Sequence, residues 1–300
     1  MKTHDVHLRD PFVLTRPEEG RYYLYGTTDP DPWNGPGQGF SAFVSADLEN
    51  WSGPYPVFSP PAGFWADRQF WAPEVHFHDG AYWMLASFKA EGRRRGVQML
   101  RADAPLGPFL PISDGPVTPG SWDCLDGTLF WDEVSRPWLV FSHEWTQVRD
   151  GEICCMPLRP DLREAAGEPI TLFQASKSGW SIPDTGSVVR GEGRNYVTDG
   201  PFLHRCAKGT LWMLWSSYGC QGYAVGLAKS LSGRITGPWA HEKEPLFAKD
   251  GGHGMLFRTL EGELRLALHR PNETPFERPC FLPVEERAER LAALSEILEG

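Results

Sequence analysis

Three aspartates come directly before apolar segments of the chain. Asp10 precedes Pro-Phe-Val-Leu, Asp126 precedes Gly-Thr-Leu-Phe, and Asp199 precedes Gly-Pro-Phe-Leu. Carboxyl groups that converge can cleave a glycosidic bond with inversion. An ionised carboxylate deprotonates a water, and a protonated one, roughly 6.5–9.5 Å away, protonates the leaving oxygen. A third carboxylate nearby raises the pKa of the acid and orients it. The three aspartates are therefore a candidate catalytic set, provided that the fold brings them together.

A repeated order of strands and turns offers a way to do so. Runs rich in aromatic and branched residues alternate with turns that contain Gly and Pro, and this order returns five times. The period of roughly 50 to 70 residues predicts an all-β fold, a five-bladed β-propeller of four-stranded antiparallel blades, with a β-sandwich as the alternative. The five units begin near Asp10, Ala72, Asp126, Asp199 and His253.

The innermost strand of each propeller blade runs along the central axis, so the starts of these strands meet at one end of the channel. Asp10, Asp126, Asp199 and His253 are therefore expected to face one another as equivalent residues of four blades. Each aspartate taken singly is also an ordinary turn residue, since Asp before Pro or Gly is common in turns.

No linker, charge block or low-complexity tract divides the chain, and we predict a single domain over residues 1–300. Leucines recur at near-helical spacing close to the end of the chain. Residues 285–298 are therefore predicted to form a short amphipathic helix that packs on the propeller.

Composition excludes several classes of protein. The net charge of −10, with no basic run beyond three consecutive arginines, argues against a nucleic-acid surface. The chain has no apolar stretch of membrane-spanning length and no apolar signal region at its start, which predicts a cytoplasmic protein without a membrane partner. The six cysteines form no CxxC pair, which favours reduced thiols over disulfides or a cysteine-bound metal.

Five short motifs at the starts of the units resemble glycoside hydrolase family 43, the five-bladed propeller glycosidases, over essentially the whole chain. The motifs are Arg-Asp-Pro at 9–11, Trp-Ala-Pro-Glu-Val at 71–75, Leu-Asp-Gly-Thr at 125–128, Thr-Asp-Gly-Pro at 198–201 and Gly-His-Gly at 252–254. The resemblance implies inverting hydrolysis of arabinose- or xylose-type residues in plant polysaccharides. It implies Asp10 as the general base, Asp126 as the residue that tunes and positions the acid, and Asp199 at the place of the acid.

Asp199 departs from the family pattern, in which the acid is Glu before Gly-Pro. Asp is one methylene shorter, and a misplacement of about 1 Å can cost on the order of a hundredfold in rate. Glu144, at the end of a strand of the third unit, is the best substitute for the acid, with an exposed strand-end charge as its plainer interpretation.

Three further residues are candidates for substrate binding, as is Glu144. Trp71 could form a floor for a sugar ring or pack in the core, and Arg270 could bind sugar hydroxyls or keep Asp10 ionised. By the resemblance, His253 could bind substrate or hold a calcium ion in the channel, although calcium prefers oxygen ligands. We expect no required cofactor.

The sequence thus predicts an O-glycosyl hydrolase with an oligosaccharide substrate. An exo-acting α-L-arabinofuranosidase is the first expectation. A β-xylosidase or an endo-arabinanase of the same family is an alternative, and a catalytically impaired sugar-binding propeller is another, because of Asp199. Neither the linkage nor the oligomeric state follows from the sequence.

Overall fold

The protein was analysed as a computed structural model that describes residues 1–184, 194–287 and 290–293. Within these ranges, twenty strands form five antiparallel sheets of four strands each, and in every sheet the strands follow one another in chain order from the innermost outward. The innermost strands contact one another in a closed ring. The predicted five-bladed β-propeller is confirmed.

The blades are as follows. Blade one contains β1 (Arg9–Arg16), β2 (Arg21–Thr27), β3 (Phe40–Ser45) and β4 (Trp51–Phe58). Blade two contains β5 (Arg68–His78), β6 (Ala81–Lys89), β7 (Gly96–Ala102) and β8 (Leu110–Pro111). Blade three contains β9 (Cys124–Trp131), β10 (Pro137–His143), β11 (Glu152–Pro157) and β12 (Ile170–Gln174). Blade four contains β13 (Asp199–Arg205), β14 (Leu211–Gly219), β15 (Gly222–Ser230) and β16 (Trp239–His241). Blade five contains β17 (Gly252–Arg258), β18 (Leu264–Arg270), β19 (Arg278–Arg287) and β20 (Arg290–Ala293).

Helical structure in the described residues is confined to single turns: α1 (Trp145–Val148) and three 3₁₀ turns, Thr3–Asp5, Pro17–Glu19 and Ala175–Lys177. None of these helices has the length and apolar character needed to cross a bilayer.

Apolar side chains fill the spaces between neighbouring blades. Because successive strand residues point to opposite faces, a strand with blades on both sides reads as a continuous apolar run. Cys154 of β11 packs between blades two and three, whereas Cys155 packs between blades three and four. In the same way Trp212 of β14 faces blade five, and Met213 faces blade three. This packing explains the strand-like runs that the sequence repeats.

The predicted C-terminal helix over 285–298 is wrong where the structure describes it. Glu285 pairs with Ala292 and Glu286 with Leu291, so the segment completes the fifth blade as its outer strand pair. Leu291 is buried in the apolar layer that also contains Val284. Burial on one face of a strand and backbone pairing outweigh the helix-like leucine spacing. Leu294 and Leu298, which motivated the helix, lie outside the described residues.

Candidate active site

Each innermost strand has, near its start, a residue whose backbone is left-handed at the equivalent position. A positive φ is uncommon for residues other than Gly and is often stabilised by the surrounding structure at functional sites. This left-handed conformation recurs at the same point of all five blades. It is the repeated feature that directs side chains into the channel. The five residues are Asp10 (φ 53°), Ala72 (φ 48°), Asp126 (φ 56°), Gly200 (φ 47°) and His253 (φ 53°).

The sequence repeat predicts that Asp199 is equivalent to Asp10 and Asp126. The structure shows that this prediction is wrong by one residue. Asp199 pairs with Ser216, just as Arg9 pairs with Thr27 in blade one. The left-handed position of blade four is occupied by Gly200, where an added Cβ would lie 2.9 Å from Cγ of His253. The acid candidate therefore stands one residue earlier on its strand than the other two aspartates.

Hydrogen bonds between neighbouring blades hold four of the five left-handed residues. In each, the backbone N–H donates to a side chain on the second strand of the preceding blade, and the series closes from blade five to blade one. The four bonds are Ala72 to Thr27 Oγ1 (2.8 Å), Asp126 to Ser87 Oγ (2.8 Å), His253 to Ser216 Oγ (2.8 Å) and Asp10 to His269 Nδ1 (3.1 Å).

The interface between blades three and four departs from this pattern. Ser142 occupies the acceptor position, but its buried Oγ has no hydrogen-bond partner in the described structure. The N–H of Gly200 instead donates to Oδ2 of Asp126 over 2.9 Å. One carboxylate of the candidate set is thus bonded directly to the backbone that follows Asp199.

Asp10 is surrounded by groups that favour its ionised form. Thr27 Oγ1 donates to its Oδ2 over 2.6 Å, and His253 Nδ1 lies 3.2 Å from its Oδ1. Burial disfavours the charge, but His253, the Arg9 guanidinium and the remaining neighbours outweigh it and lower the pKa of Asp10 to about 2. Asp10 is therefore a carboxylate at neutral pH, as a general base must be.

Asp199 has the opposite character. Burial raises the pKa of Asp199 to about 7, the hydroxyl of Tyr223 opposes the shift by donating to Oδ2 over 2.9 Å, and the charges of Asp10 and Glu144 add to it. Asp199 therefore holds a proton at mildly acid pH.

Burial and the charges of Asp199 and Asp10 also raise the pKa of Asp126 well above its usual range. Asp126 and Asp199 titrate as a pair, which keeps a shared proton. The fixed N–H of Gly200 can only donate to Asp126, whereas the Tyr223 hydroxyl can also accept from a protonated Asp199. This difference in hydrogen bonding favours the shared proton on Asp199 and the charge on Asp126.

Glu144 is not the exposed strand-end charge that the sequence suggested. It is 7% exposed, and Arg95 Nε donates to its Oε2 over 3.1 Å. The guanidinium of Arg95 lies 3.8 Å from the ring centre of Trp71, so one cation supports both an acidic and an aromatic side chain. Trp71 in turn meets Trp33 edge-on, with the ring centres 5.1 Å apart.

These residues open into one cavity of about 520 Å³ at the end of the channel. Six of the seven predicted site residues line it: Asp10, Trp71, Asp126, Glu144, Asp199 and His253. Arg270 is not among its lining residues in the described structure; it ends β18 and pairs with Arg278.

Sequence reasoning missed several residues of the site. Arg9 lines the cavity and supplies the positive charge beside Asp10 for which Arg270 had been considered. Arg9 stood within the Arg-Asp-Pro motif and could have been identified there. Tyr223 lies on β15, the third strand of blade four, and Arg95 lies in the connection just before β7 of blade two; no local sequence signal distinguishes them.

The calcium ion considered near His253 would find few free oxygen ligands on the surrounding side chains. Calcium takes six to eight oxygen ligands. Here one nitrogen of His253 faces Asp10 and Asp126. Asp10 also accepts a hydrogen bond from Thr27, and Asp126 accepts one from Gly200. We therefore derive no step through an ion, and the expectation that no cofactor is required stays a prediction.

A group of three metal-ligand side chains lies elsewhere in the described structure. Ligand atoms of His204, Cys206 and Glu286 lie within 4.8 Å of one another. Glu286 already accepts the N–H of Ala207 and lies 3.7 Å from the Arg258 guanidinium. The group is therefore satisfied without an ion.

A five-bladed propeller that collects several carboxyl groups in one cavity, with Asp10 ionised and Asp199 protonated, is suited to cleave glycosidic bonds. Comparison with known proteins agrees. The family model described as glycosyl hydrolases family 43 matches residues 4–287, and the chain belongs to this family. The protein is an O-glycosyl hydrolase, and the resemblance drawn from the five motifs is confirmed.

Individual relatives cover most of the chain. The crystal structure of an endo-arabinase from Bacteroides thetaiotaomicron VPI-5482 is 36% identical, covers 97% of this chain and 98% of its own, and superposes with a TM-score of 0.88. The extracellular exo-α-(1→5)-L-arabinofuranosidase ArbA of Cellvibrio japonicus is 25% identical over 276 residues, 86% of this chain and 72% of its own. An extracellular endo-α-(1→5)-L-arabinanase of Bacillus subtilis is 20% identical over 234 residues, 68% and 70% of the two chains.

Proposed function

We propose that this protein hydrolyses α-L-arabinofuranosidic linkages in oligosaccharides, with inversion and in exo mode. The proposal rests on the different pKa values of two carboxyl groups in one cavity. The pKa of Asp10 is lowered to about 2 and that of Asp199 is raised to about 7. Between these values one group is a base and the other an acid, which is the state that inverting hydrolysis needs.

In the proposed reaction, Asp10 removes a proton from a water molecule as its oxygen bonds to the anomeric carbon. The bond from that carbon to the leaving oxygen breaks, and Asp199 transfers its proton to that oxygen. Asp126 stays charged, holds the Gly200 N–H and keeps the proton on Asp199 until it is needed. Proton exchange with solvent then restores both carboxyl groups.

The choice of arabinose rests on the activities of the relatives, which include an endo-arabinase at 36% identity and the arabinofuranosidase ArbA. Trp33 and Trp71 give the cavity aromatic faces of the kind that pack against sugar rings. Xylose is the second candidate sugar, because an endo-1,4-β-xylanase of Bacteroides thetaiotaomicron has the same fold with a TM-score of 0.77.

The proposal is tested with α-(1→5)-arabino-oligosaccharides, aryl α-L-arabinofuranoside and aryl β-D-xyloside. We expect turnover of the arabinosides and release of single arabinose units from chain ends. Asp10→Ala and Asp199→Ala should each lower kcat/KM on oligosaccharides by about 10²- to 10⁴-fold, the usual share of general acid–base catalysis. Faster turnover of the xyloside would overturn the sugar assignment, and release of longer fragments first would overturn the exo mode.

A sugar-binding propeller without activity is the second candidate, and the shortened acid Asp199 is the observation behind it. Calorimetric binding of arabino-oligosaccharides together with no turnover of any of the three substrates would favour this candidate. Turnover that depends on Asp199 would exclude it.

A further inference from the structure

We infer that Glu144, held in place by Arg95, binds hydroxyl groups of the sugar on the leaving side and thereby brings the glycosidic oxygen within reach of the short acid Asp199. The inference rests on the proposed function and deepens it. It assigns a specificity role to an ion pair that none of the five motifs contains.

Glu144 offers an acceptor atom to the cavity. Its Oε2 is occupied by Arg95 at 3.1 Å, and its Oε1 receives no hydrogen bond from the described part of the chain. The side chain lines the same cavity as Asp199. An ionised carboxylate with a free oxygen makes strong, charge-assisted hydrogen bonds to hydroxyl groups.

Arg95 is fixed from several directions and therefore fixes Glu144. It is 5% exposed, its Nη2 donates to Gln69 Oε1 over 2.9 Å, and its guanidinium stacks 3.8 Å from the ring centre of Trp71. The backbone of Gln69 is left-handed (φ 51°), and its Nε2 donates to the carbonyl of Trp33 over 2.9 Å. A strained residue that links these groups indicates a built scaffold rather than a chance surface pair.

The ion pair also decides between the two roles considered for Glu144. Its Oε2 accepts the hydrogen bond of the Arg95 guanidinium, which holds the side chain in place as an acceptor for substrate hydroxyls. The general acid therefore remains Asp199, whose carboxyl is tied to Tyr223 at 2.9 Å and cannot advance towards the substrate without losing that bond. Because the short acid cannot advance, the substrate must be positioned instead, and Glu144 lines the same cavity with a carboxylate oxygen that can do so.

The test compares two substrates of the full-length enzyme. In an arabino-oligosaccharide the leaving group is a sugar with hydroxyls, whereas in 4-nitrophenyl α-L-arabinofuranoside it is a phenol without them. Glu144→Gln keeps the size of the side chain and an oxygen for Arg95 but removes the charge. We expect kcat/KM on the oligosaccharide to fall about 10- to 100-fold, the usual range for a hydrogen bond to a charged group, and on the aryl glycoside to fall less than about threefold.

Glu74→Gln is the matched control, because Glu74 is a buried carboxylate paired with His76 over 3.1 Å outside the cavity. It should leave both substrates unaffected, and thermal unfolding of both variants checks that they are folded. Equal losses on the two substrates, or no loss on either, would overturn the role of Glu144 while the proposed function stands. A wild-type enzyme that cleaves neither arabinoside would instead refute the proposed function, and this inference with it.

Discussion

Three buried serines occupy equivalent places at the interfaces between blades, but they do not make the same hydrogen bonds. Ser87, Ser142 and Ser216 lie on the second strands of blades two, three and four, and each is 0% exposed. Ser87 and Ser216 accept backbone N–H groups of the next blade over 2.8 Å. Ser142 accepts none, because Gly200 donates to a carboxylate instead. Replacing each serine by alanine is therefore a matched series.

The expected magnitudes follow from the partners left behind. Ser87→Ala and Ser216→Ala each leave a buried backbone N–H without a hydrogen-bond acceptor, which lowers the free energy of unfolding by about 1–3 kcal/mol. Ser142→Ala removes a buried hydroxyl that has no partner, so its effect should be near zero or slightly stabilising. For a chain of this size, a difference of about 2 kcal/mol corresponds to a Tm difference of about 3 °C.

Calorimetry or urea unfolding of the three variants measures the series. We expect Ser142→Ala to unfold with the wild type and the other two to unfold earlier. Equal destabilisation by all three would mean that Gly200 donates to Ser142 and not to Asp126. The arrangement that keeps the proton on Asp199 would then be refuted.

Three further predictions concern titrating groups. Because the pKa of Asp10 is about 2 and that of Asp199 about 7, kcat/KM on oligosaccharides should fall as the pH rises through about 7; a profile that stays flat to pH 9 would contradict Asp199 as the acid. Tyr223→Phe removes a donor that favours ionised Asp199, so the alkaline limb of that profile should move to higher pH and kcat should fall several-fold; an unmoved limb would show that the hydroxyl does not tune the acid. Burial lowers the pKa of His241 to about 4, so the unfolded chain binds its proton first and stability is lost as the pH falls from about 6.5 to 4; His241→Phe should therefore move the acid-unfolding midpoint to lower pH, and an unchanged midpoint would argue against this group.

The sequence predicts the propeller and the convergence of its aspartates because each blade is a local unit. Four strands contiguous in the chain carry apolar runs that repeat, and the innermost strand always starts with the same kind of turn. Asp10 and Asp126 could therefore be placed at the channel from their motifs alone. Asp199 was placed in the correct cavity but one residue out of register, because the bulge at the start of β13 has no sequence signal separate from Gly-Pro.

The remaining parts of the site depend on contacts between segments that are distant in the sequence. Arg95 and Glu144 are 49 residues apart, and Tyr223 reaches Asp199 across 24 residues. None of these pairs has a fixed spacing that a single sequence could reveal. Neighbouring charges and hydrogen bonds also decide chemistry that residue type leaves open, since two buried aspartates of one cavity have pKa values of about 2 and about 7.

The central claim is that Asp10 activates a water on the face of the sugar opposite to the protonated Asp199. Proton NMR during the first turnovers of an α-L-arabinofuranoside tests this claim most directly, because the configuration of the first-formed arabinose reports the side of attack. Water delivered by Asp10 yields the inverted β anomer. A first-formed α anomer would contradict the account, since retention proceeds through a covalent glycosyl-enzyme intermediate and not through direct attack of water.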